Sequence, residues 1–294
     1  PNVPQSSLLL DSFFEEAGFP QGTFNTLFSP IEYLENIVAR KEIKALTLTG
    51  SDIAGRSFAV LGSKYLKKSV LELGGSDPFI ILNDADLDLA VENAIKSRFT
   101  NNGQSCISAK RFIVEQKIYP DFMQAFLNKV QNLKMGNPQN EESNLTCLAR
   151  PDLAKKLLSQ VQISVEMGAN LFLSPNLNLN SSVSPGILTR IPKNSPAYSE
   201  ELFGPIASVY IAENQDEAIQ IANDTNFGLG SSIWTKDLEK AQFMSRQIEA
   251  GMVYINEMVR SMPELPFGGI NQSGYGRELS FHGITEFVNK KLIY

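Results

Sequence analysis

The chain has 294 residues, 43% of them hydrophobic and 20% charged, which fits a globular protein with a large core and, by length, two domains rather than one. A formal net charge of −6 without a long basic run argues against sequence-independent nucleic-acid binding, because phosphate neutralisation needs clustered Lys and Arg. No apolar stretch approaches the roughly 20 residues that span a bilayer, and two cysteines make no disulfide framework, so a reducing, cytoplasmic compartment is expected.

From the start, "SSLLLDSFFEEAGFPQGT" predicts a capped amphipathic helix ending at Gly18 and Pro20. "IEYLENIVAR" reads as a helix, "KALTLTG" as a strand, "IAGRSFAVLGSKYL" as a helix and "SVLELGG" as a strand. "PFIILN" is a short buried strand, "DLDLAVENAIKSRF" a helix with acidic residues near its start, and "RFIVEQ" with "YPDFMQAFLNKVQNL" repeats the strand-helix pairing. "PDLAKKLLSQVQISVEMG" before "NLFL", "ASVYIAE" before "QDEAIQIANDT", and "LEKAQFMSRQIEAG" before "MVYINE" continue it. Such alternation predicts an α/β fold built on mainly parallel sheets. The Asn, Ser and Pro of "SPNLNLNSSVSPG" (174–186) predict a hairpin or surface excursion.

Within this frame "NNGQSCIS" (101–108) stands out. A structural cysteine behaves as a small hydrophobe, yet Cys106 is flanked by hydrogen-bonding and flexible residues, the setting of a reactive thiol. Cys147, in "NLTCLARP", has no activating neighbour and reads as a packing residue. Glu72, in "LELGG", closes an apolar strand before two glycines. A carboxylate buried there has a raised pKa and can act as a general base near neutral pH; an edge-strand Glu facing solvent is the other reading. A thiolate attacking a carbonyl carbon forms a covalent intermediate, and a nearby carboxylate can activate water to break the thioester. Backbone N–H groups near Cys106 could hold the developing oxyanion.

Three further stretches carry weaker signals. "LTLTGSDIAG" places Gly50 and Ser51 between strand and helix, a natural phosphate site, although its glycine spacing to Gly55 is looser than a dinucleotide fingerprint. "SEELFGP" sets Glu201 and Phe203 in a turn ahead of a strand, where a carboxylate can hold ribose hydroxyls and a ring can lie beside a planar ring; a plain turn anchored by a buried Phe is as economical. "PFGGINQSGYGRE" (266–278) is a glycine-rich loop able to pack closely under a cleft. A cysteine hydrolase would have to recruit His282, the only histidine, and two cysteines with one histidine supply none of the usual zinc ligand sets.

Taken in order, "LTGS…G", "LELGG", "NNGQSC", "EELFGP", "INE" and "PFGG…SG.GRE" resemble the aldehyde dehydrogenase superfamily across essentially the whole chain. The tail from "MVRSMPELPFGG" and "NNGQSCISAKRFIV" are most similar to its succinate-semialdehyde dehydrogenase group. The resemblance implies a parallel-sheet catalytic domain (74–272), a partial Rossmann-like cofactor domain (1–73), and a C-terminal return to that domain leading into an oligomerisation strand (273–294). It implies oxidation of an aldehyde, succinate semialdehyde, to its acid, with Cys106 as nucleophile and Glu72 activating the hydrolytic water. NADP or NAD is the implied cofactor. Gly50, Ser51 and Gly55 would serve the pyrophosphate, the Leu73 backbone the nicotinamide amide, Glu201 the nicotinamide ribose and Phe203 the ring. Ser105 and Ser261 match substrate-contacting positions, with Arg260 a further candidate for a substrate carboxylate.

Departures from the pattern matter as well. Many members of the group hold an Arg six residues before the nucleophile, where this chain has Thr100; some hold a second cysteine two residues after it, here Ser108, so no redox switch is expected. The resemblance implies a chain that begins partway through the cofactor domain, with an oxyanion-hole Asn and a ribose-binding Lys upstream. Pro1 then falls where NAD-preferring members often carry Glu, which leans toward NADP. A homodimer or homotetramer is implied for the full-length protein. The rival readings are a non-catalytic binding or structural module and a cofactor-free cysteine hydrolase.

Overall fold

The computed structural model describes residues 3–176 and 181–294. Pro1, on which the NADP lean rests, and residues 177–180 of the expected loop lie outside the described residues. The chain divides into two compact units, Pro1–Leu46 with Ala59–Lys68, and Thr47–Phe58 with Ser69–Tyr294. The division passes through β1 (Ala45–Thr49), α3 (Asp52–Lys64) and β2 (Lys68–Glu72).

The smaller unit begins with α1 (Pro4–Glu16), which starts on Pro4 rather than on a capping Ser. Proline fixes φ and has no N–H to satisfy, so it opens the helix without a cap. The expected capped start is therefore corrected, and none of the α1 side chains is buried. Gly18 then takes φ +76, and Phe14 stacks on Phe24 at 4.7 Å between ring centroids. A 3-10 turn leads into α2 (Leu34–Val38), where Glu35 binds Lys64 and accepts the Tyr65 hydroxyl at 2.8 Å.

The larger unit carries a seven-stranded sheet. Its strands are β3 (Asp77–Ile81), β4 (Ala109–Glu115), β5 (Asn170–Leu173), β6 (Gly186–Thr189), β7 (Ile206–Ala212), β8 (Gly230–Trp234) and β9 (Met252–Ile255). Their order is β5-β6-β7-β4-β3-β8-β9. Every neighbouring pair is parallel except β5 with β6, which run antiparallel. Parallel strands are covered on both faces, so they read as continuous apolar runs; β3 is buried throughout. Its register sets Phe79 beside Phe112 and Ile80 beside Ile113. Phe112 is in aromatic contact with Phe79, Phe122 and Phe126, and Phe79 stacks on Trp234 at 5.0 Å.

The helices follow from local chemistry. α4 (Leu87–Phe99) is capped by Asp86, α8 (Gln215–Asn223) by Asn214 and α9 (Leu238–Ser245) by Asp237, each accepting backbone N–H groups of the first turn. α5 (Tyr119–Gln131), α6 (Pro151–Glu166) and the single turn α7 (Pro196–Ser199) carry proline in their first turns. A second, three-stranded sheet has the order β1-β2-β10, with β10 (Gly274–Tyr275) antiparallel to β2 and Gly274 opposite Glu72. α10 (Ser280–Glu286) follows and buries no side chain.

Two features position the site. The carboxyl ends of β1 and β2 carry Gly50 and Glu72, while the amino ends of β4 and β7 receive the segments holding Cys106 and Glu201. Gly50 N–H donates to the Glu72 carbonyl at 3.0 Å, joining the first two. Replacing Phe112 by Ala should cost about 3–5 kcal/mol of stability, read from urea denaturation; a loss below about 1 kcal/mol would show that this cluster is not the core that holds the sheet together.

Candidate active site

The segment before β4 explains why "NNGQ" precedes the thiol. Asn101, Asn102 and Gly103 all adopt positive φ, at 54°, 57° and 71°, a conformation that Asn tolerates best among side-chain-bearing residues. The Asn102 amide donates to the Thr146 hydroxyl and the Cys147 carbonyl, and its oxygen accepts Thr146 N–H at 2.7 Å. Gln104 accepts Ala149 N–H at 2.9 Å. These polar side chains hold the backbone of the turn, and the Cys106 sulfur follows it. Cys147 itself is exposed, which corrects its expected packing role. Its neighbours Leu145 and Leu148 are the buried ones.

Beneath the turn lie two buried cations that sequence reasoning missed. The Arg98 guanidinium donates to the Ser108 hydroxyl at 3.0 Å, to the carbonyls of Ala109 and Leu202 at 3.3 and 2.9 Å, and to those of Gly103 and Gly204. Lys110 donates to the carbonyls of Ser105 and Cys106 at 2.8 and 2.9 Å and pairs with Glu201 at 3.0 Å. Their signal in the sequence was slight: basic residues within otherwise apolar runs. Ser108 is buried and donates to the Ser97 carbonyl.

Cys106, Glu72, Gly50, Ser51, Leu73, Ser105, Glu201 and Phe203 line one cavity of about 880 Å³. Sulfur, carboxylate and strand-helix turn thus share one wall lining within the larger unit. Gly55 is not in the cavity wall: a Cβ there would meet the Leu73 side chain at 2.4 Å, so this glycine packs α3 against Leu73. Arg260 and Ser261 are exposed and do not line the cavity; Arg260 faces Glu257 at 3.6 Å. His282 is exposed on α10 and lies outside the cavity wall, which leaves a Cys-His pair without support.

Glu72 is 3% exposed, and neither carboxylate oxygen has a hydrogen-bond partner among the described residues. Burial, with the Glu278 charge adding and Arg277 opposing, pushes its pKa up to about 8. The solvent-facing alternative is thereby excluded. Ser273, fully buried, donates to the Gly74 carbonyl at 2.7 Å and accepts Gly228 N–H, while its own carbonyl receives Leu73 N–H. This accounts for the "QSGYG" stretch: Ser273 pins the end of β2, and a Cβ at Gly274 would fall 1.9 Å from the Leu71 carbonyl oxygen. Burial raises the Cys106 thiol as well, opposed by Lys110 and the Ile107 N–H.

The Aldehyde dehydrogenase family model matches residues 1–293. The chain belongs to the aldehyde dehydrogenase family. It is 45% identical over its whole length to a probable succinate-semialdehyde dehydrogenase [NADP(+)] of Synechocystis, covering 65% of that protein. It is 46% identical to a succinate-semialdehyde dehydrogenase [NADP(+)] of Mycobacterium avium, covering 62% of it. Its fold matches the crystal structure of succinic semialdehyde dehydrogenase from Streptococcus pyogenes in complex with NADP+, with a TM-score of 0.96 and 40% identity over 99% of this chain and 64% of that one. The α/β, aldehyde dehydrogenase-like fold expected from the sequence is present, and the chain spans under two thirds of the length of these relatives.

Two outcomes are expected from this geometry. At Gly75 a Cβ would stand 2.6 Å from the Cys106 carbonyl oxygen, so Gly75→Ala must displace the segment that holds Cys106. The rate of Cys106 thiol modification should change on the order of tenfold or more, with an unchanged rate as the contrary result. Glu72 binds its proton more tightly in the folded chain, so between the ordinary carboxylate range and about pH 8 folding takes up a proton and stability declines as pH rises. Glu72→Gln should therefore raise the melting temperature at pH 8.5 and leave it nearly unchanged at pH 4; equal shifts at both would contradict the burial argument.

Proposed function

We propose that the protein oxidises an aldehyde to its acid with NADP or NAD, with NADP preferred and succinate semialdehyde as the substrate. The observation that carries the reading is the shared cavity, where a thiol, a buried unpartnered carboxylate and a helix start converge. The NADP(+) designations of the Synechocystis and Mycobacterium relatives support the cofactor and substrate.

The cavity residues fit a dinucleotide. Its volume is within the range of small-molecule sites. Gly50 and Ser51 open a helix of 13 residues, whose first-turn N–H groups and dipole suit a pyrophosphate. Ser51 accepts Ala54 N–H and caps that turn. Glu201, one-fifth exposed and fixed through Lys110 and the Gly75 N–H, presents a carboxylate to a ribose. Phe203 borders the same space, as does Leu73 with its backbone. A nicotinamide held by these residues would supply the acceptor for the hydride of the substrate carbon.

The chain's own residues perform the remaining work. Cys106, as thiolate, adds to the aldehyde carbon and forms a thiohemiacetal. Backbone N–H groups around Cys106 would serve the oxygen that gains charge. After oxidation the carbon is held as a thioester. Glu72, in its ionised form above about pH 8, takes a proton from water, and the water oxygen adds to the thioester carbon. Collapse expels the Cys106 thiolate and frees the acid. Ser105, in the cavity wall next to the thiol, is assigned to substrate contact; Ser261 as a substrate contact and Arg260 for a substrate carboxylate rest on the family match of their positions alone, since both are exposed and neither lines the cavity.

The proposed division assigns 1–73 to cofactor binding, 74–272 to catalysis and 273–294 to the return, supported by the pairing of β10 with β2. A homodimer or homotetramer in a cytoplasmic setting completes the proposal. Exposed Leu292 and Ile293 support an interface, and among the described residues no helix is long and apolar enough to cross a membrane.

Purified protein with Glu72→Gln should release one equivalent of reduced cofactor and then stall, whereas Cys106→Ala should release none. Steady turnover in either variant would sink the assignment. Parallel assays with several aldehydes and both cofactors test the substrate and NADP preferences.

A further inference from the structure

Lys110 lies four residues beyond the thiol, at the start of β4, and its side chain is 1% exposed. A buried ammonium has to satisfy all three hydrogens. The Ser105 and Cys106 carbonyls and the Glu201 carboxylate do so, at 2.8, 2.9 and 3.0 Å. The same Glu201 oxygen accepts the Gly75 N–H at 3.3 Å. One ammonium therefore joins the segment ahead of β4 to the segment ahead of β7. We propose that Lys110 is a positioning residue that sets the reactivity of the Cys106 thiol, holding the nucleophile segment against Glu201 and supplying the fixed positive charge beside the sulfur.

Every element around the sulfur contributes to its charge environment. Lys110 on β4 and the Ile107 N–H favour the thiolate; burial, Asp77 on β3 and Glu201 disfavour it. Glu72 at the end of β2 and Lys156 on α6 line the same cavity, and Arg98 on α4 donates to Gly103 and Ser108, which flank the thiol in sequence. Lys110 is the cation that offsets burial for the thiol, and it is also tied to the carboxylate that opposes the thiolate. Such an arrangement makes a signed demand: removing the cation and removing its carboxylate partner must move the thiol in opposite directions. A lysine that only held the chain together would give no such reversal.

The inference deepens the reading of Cys106 as nucleophile, but its test uses neither cofactor nor aldehyde, so the dehydrogenase proposal and this one can fail separately. The rate of Cys106 alkylation by iodoacetamide is followed from pH 6 to pH 10 in a Cys147→Ser background, which removes the other, exposed thiol. Lys110→Met should raise the pH midpoint by about one unit and slow alkylation at pH 8 by about tenfold. Glu201→Gln should lower the midpoint. Lys110→Arg, which keeps the charge, should stay close to the background protein. A Lys110→Met midpoint that stays put or falls in a folded protein overturns the proposal. If that variant does not fold, a Glu201→Gln midpoint that fails to drop, or a Lys110→Arg midpoint that rises as far as expected for charge loss, overturns it instead.

Discussion

Everything around the candidate nucleophile depends on a buried guanidinium bonded to backbone. Arg98 is fully buried, with no ion pair among the described residues, and carbonyl oxygens accept most of its N–H groups. Burying a charge is unfavourable unless polar groups surround it. The carbonyls can do so only if the turn at 101–104 and the turn at 202–204 both reach the same guanidinium nitrogen. The charge thus selects one arrangement of two loops. Lys110 repeats the device one layer on, with two carbonyls and one carboxylate. The thiol and the Glu201 carboxylate are held in place by bonds to segments far apart in sequence rather than by their own loops.

That arrangement needs space, and the glycines supply it. A Cβ at Gly103 would meet the Gly204 carbonyl oxygen at 2.5 Å, and one at Gly74 would meet the Glu201 carboxylate at 2.4 Å. Side chains at these positions would force the loops apart and leave the buried cations without acceptors. Close approach and charge satisfaction are therefore one constraint in two forms. The same logic reaches Glu72 through Ser273, which fixes the carbonyl of Gly74 and receives Leu73 N–H.

Much of this was legible in the sequence. Capped helices and fully apolar strands gave the α/β alternation, because buried parallel strands and amphipathic helices leave distinct periods. β8 escaped, since "GSSIW" contains two serines that are buried and break the apolar run. β6 escaped because it is four residues long and follows an irregular stretch. Cys106 and Glu72 were readable as residue types out of place in their local context. Arg98, Lys110 and Asp77 were not, because a charged residue in a strand or helix reads as a solvated face until its burial is known. Cys147 misled in the opposite direction: without a polar local motif it looked internal, yet only its neighbours pack.

The site also disfavours the charged forms of its own acids. Burial pushes Glu72 up to about 8 and Asp77 up to about 7, and it raises the Cys106 thiol. Each carboxyl gains a proton on folding between the ordinary carboxylate range and its raised value, so each makes the fold less stable as pH climbs through that window. The unpartnered oxygens of Glu72 make the origin plain: hydrogen-bond donors there would lower its pKa and favour the fold, but would also weaken it as a base. A cavity that kept Glu72 well bonded would be more stable, with a carboxylate of lower pKa. The structure instead leaves the carboxylate bare at the end of β2, while Arg98 and Lys110 tie the neighbouring segments together and the Lys110 ammonium pairs with Glu201 in the same cavity wall.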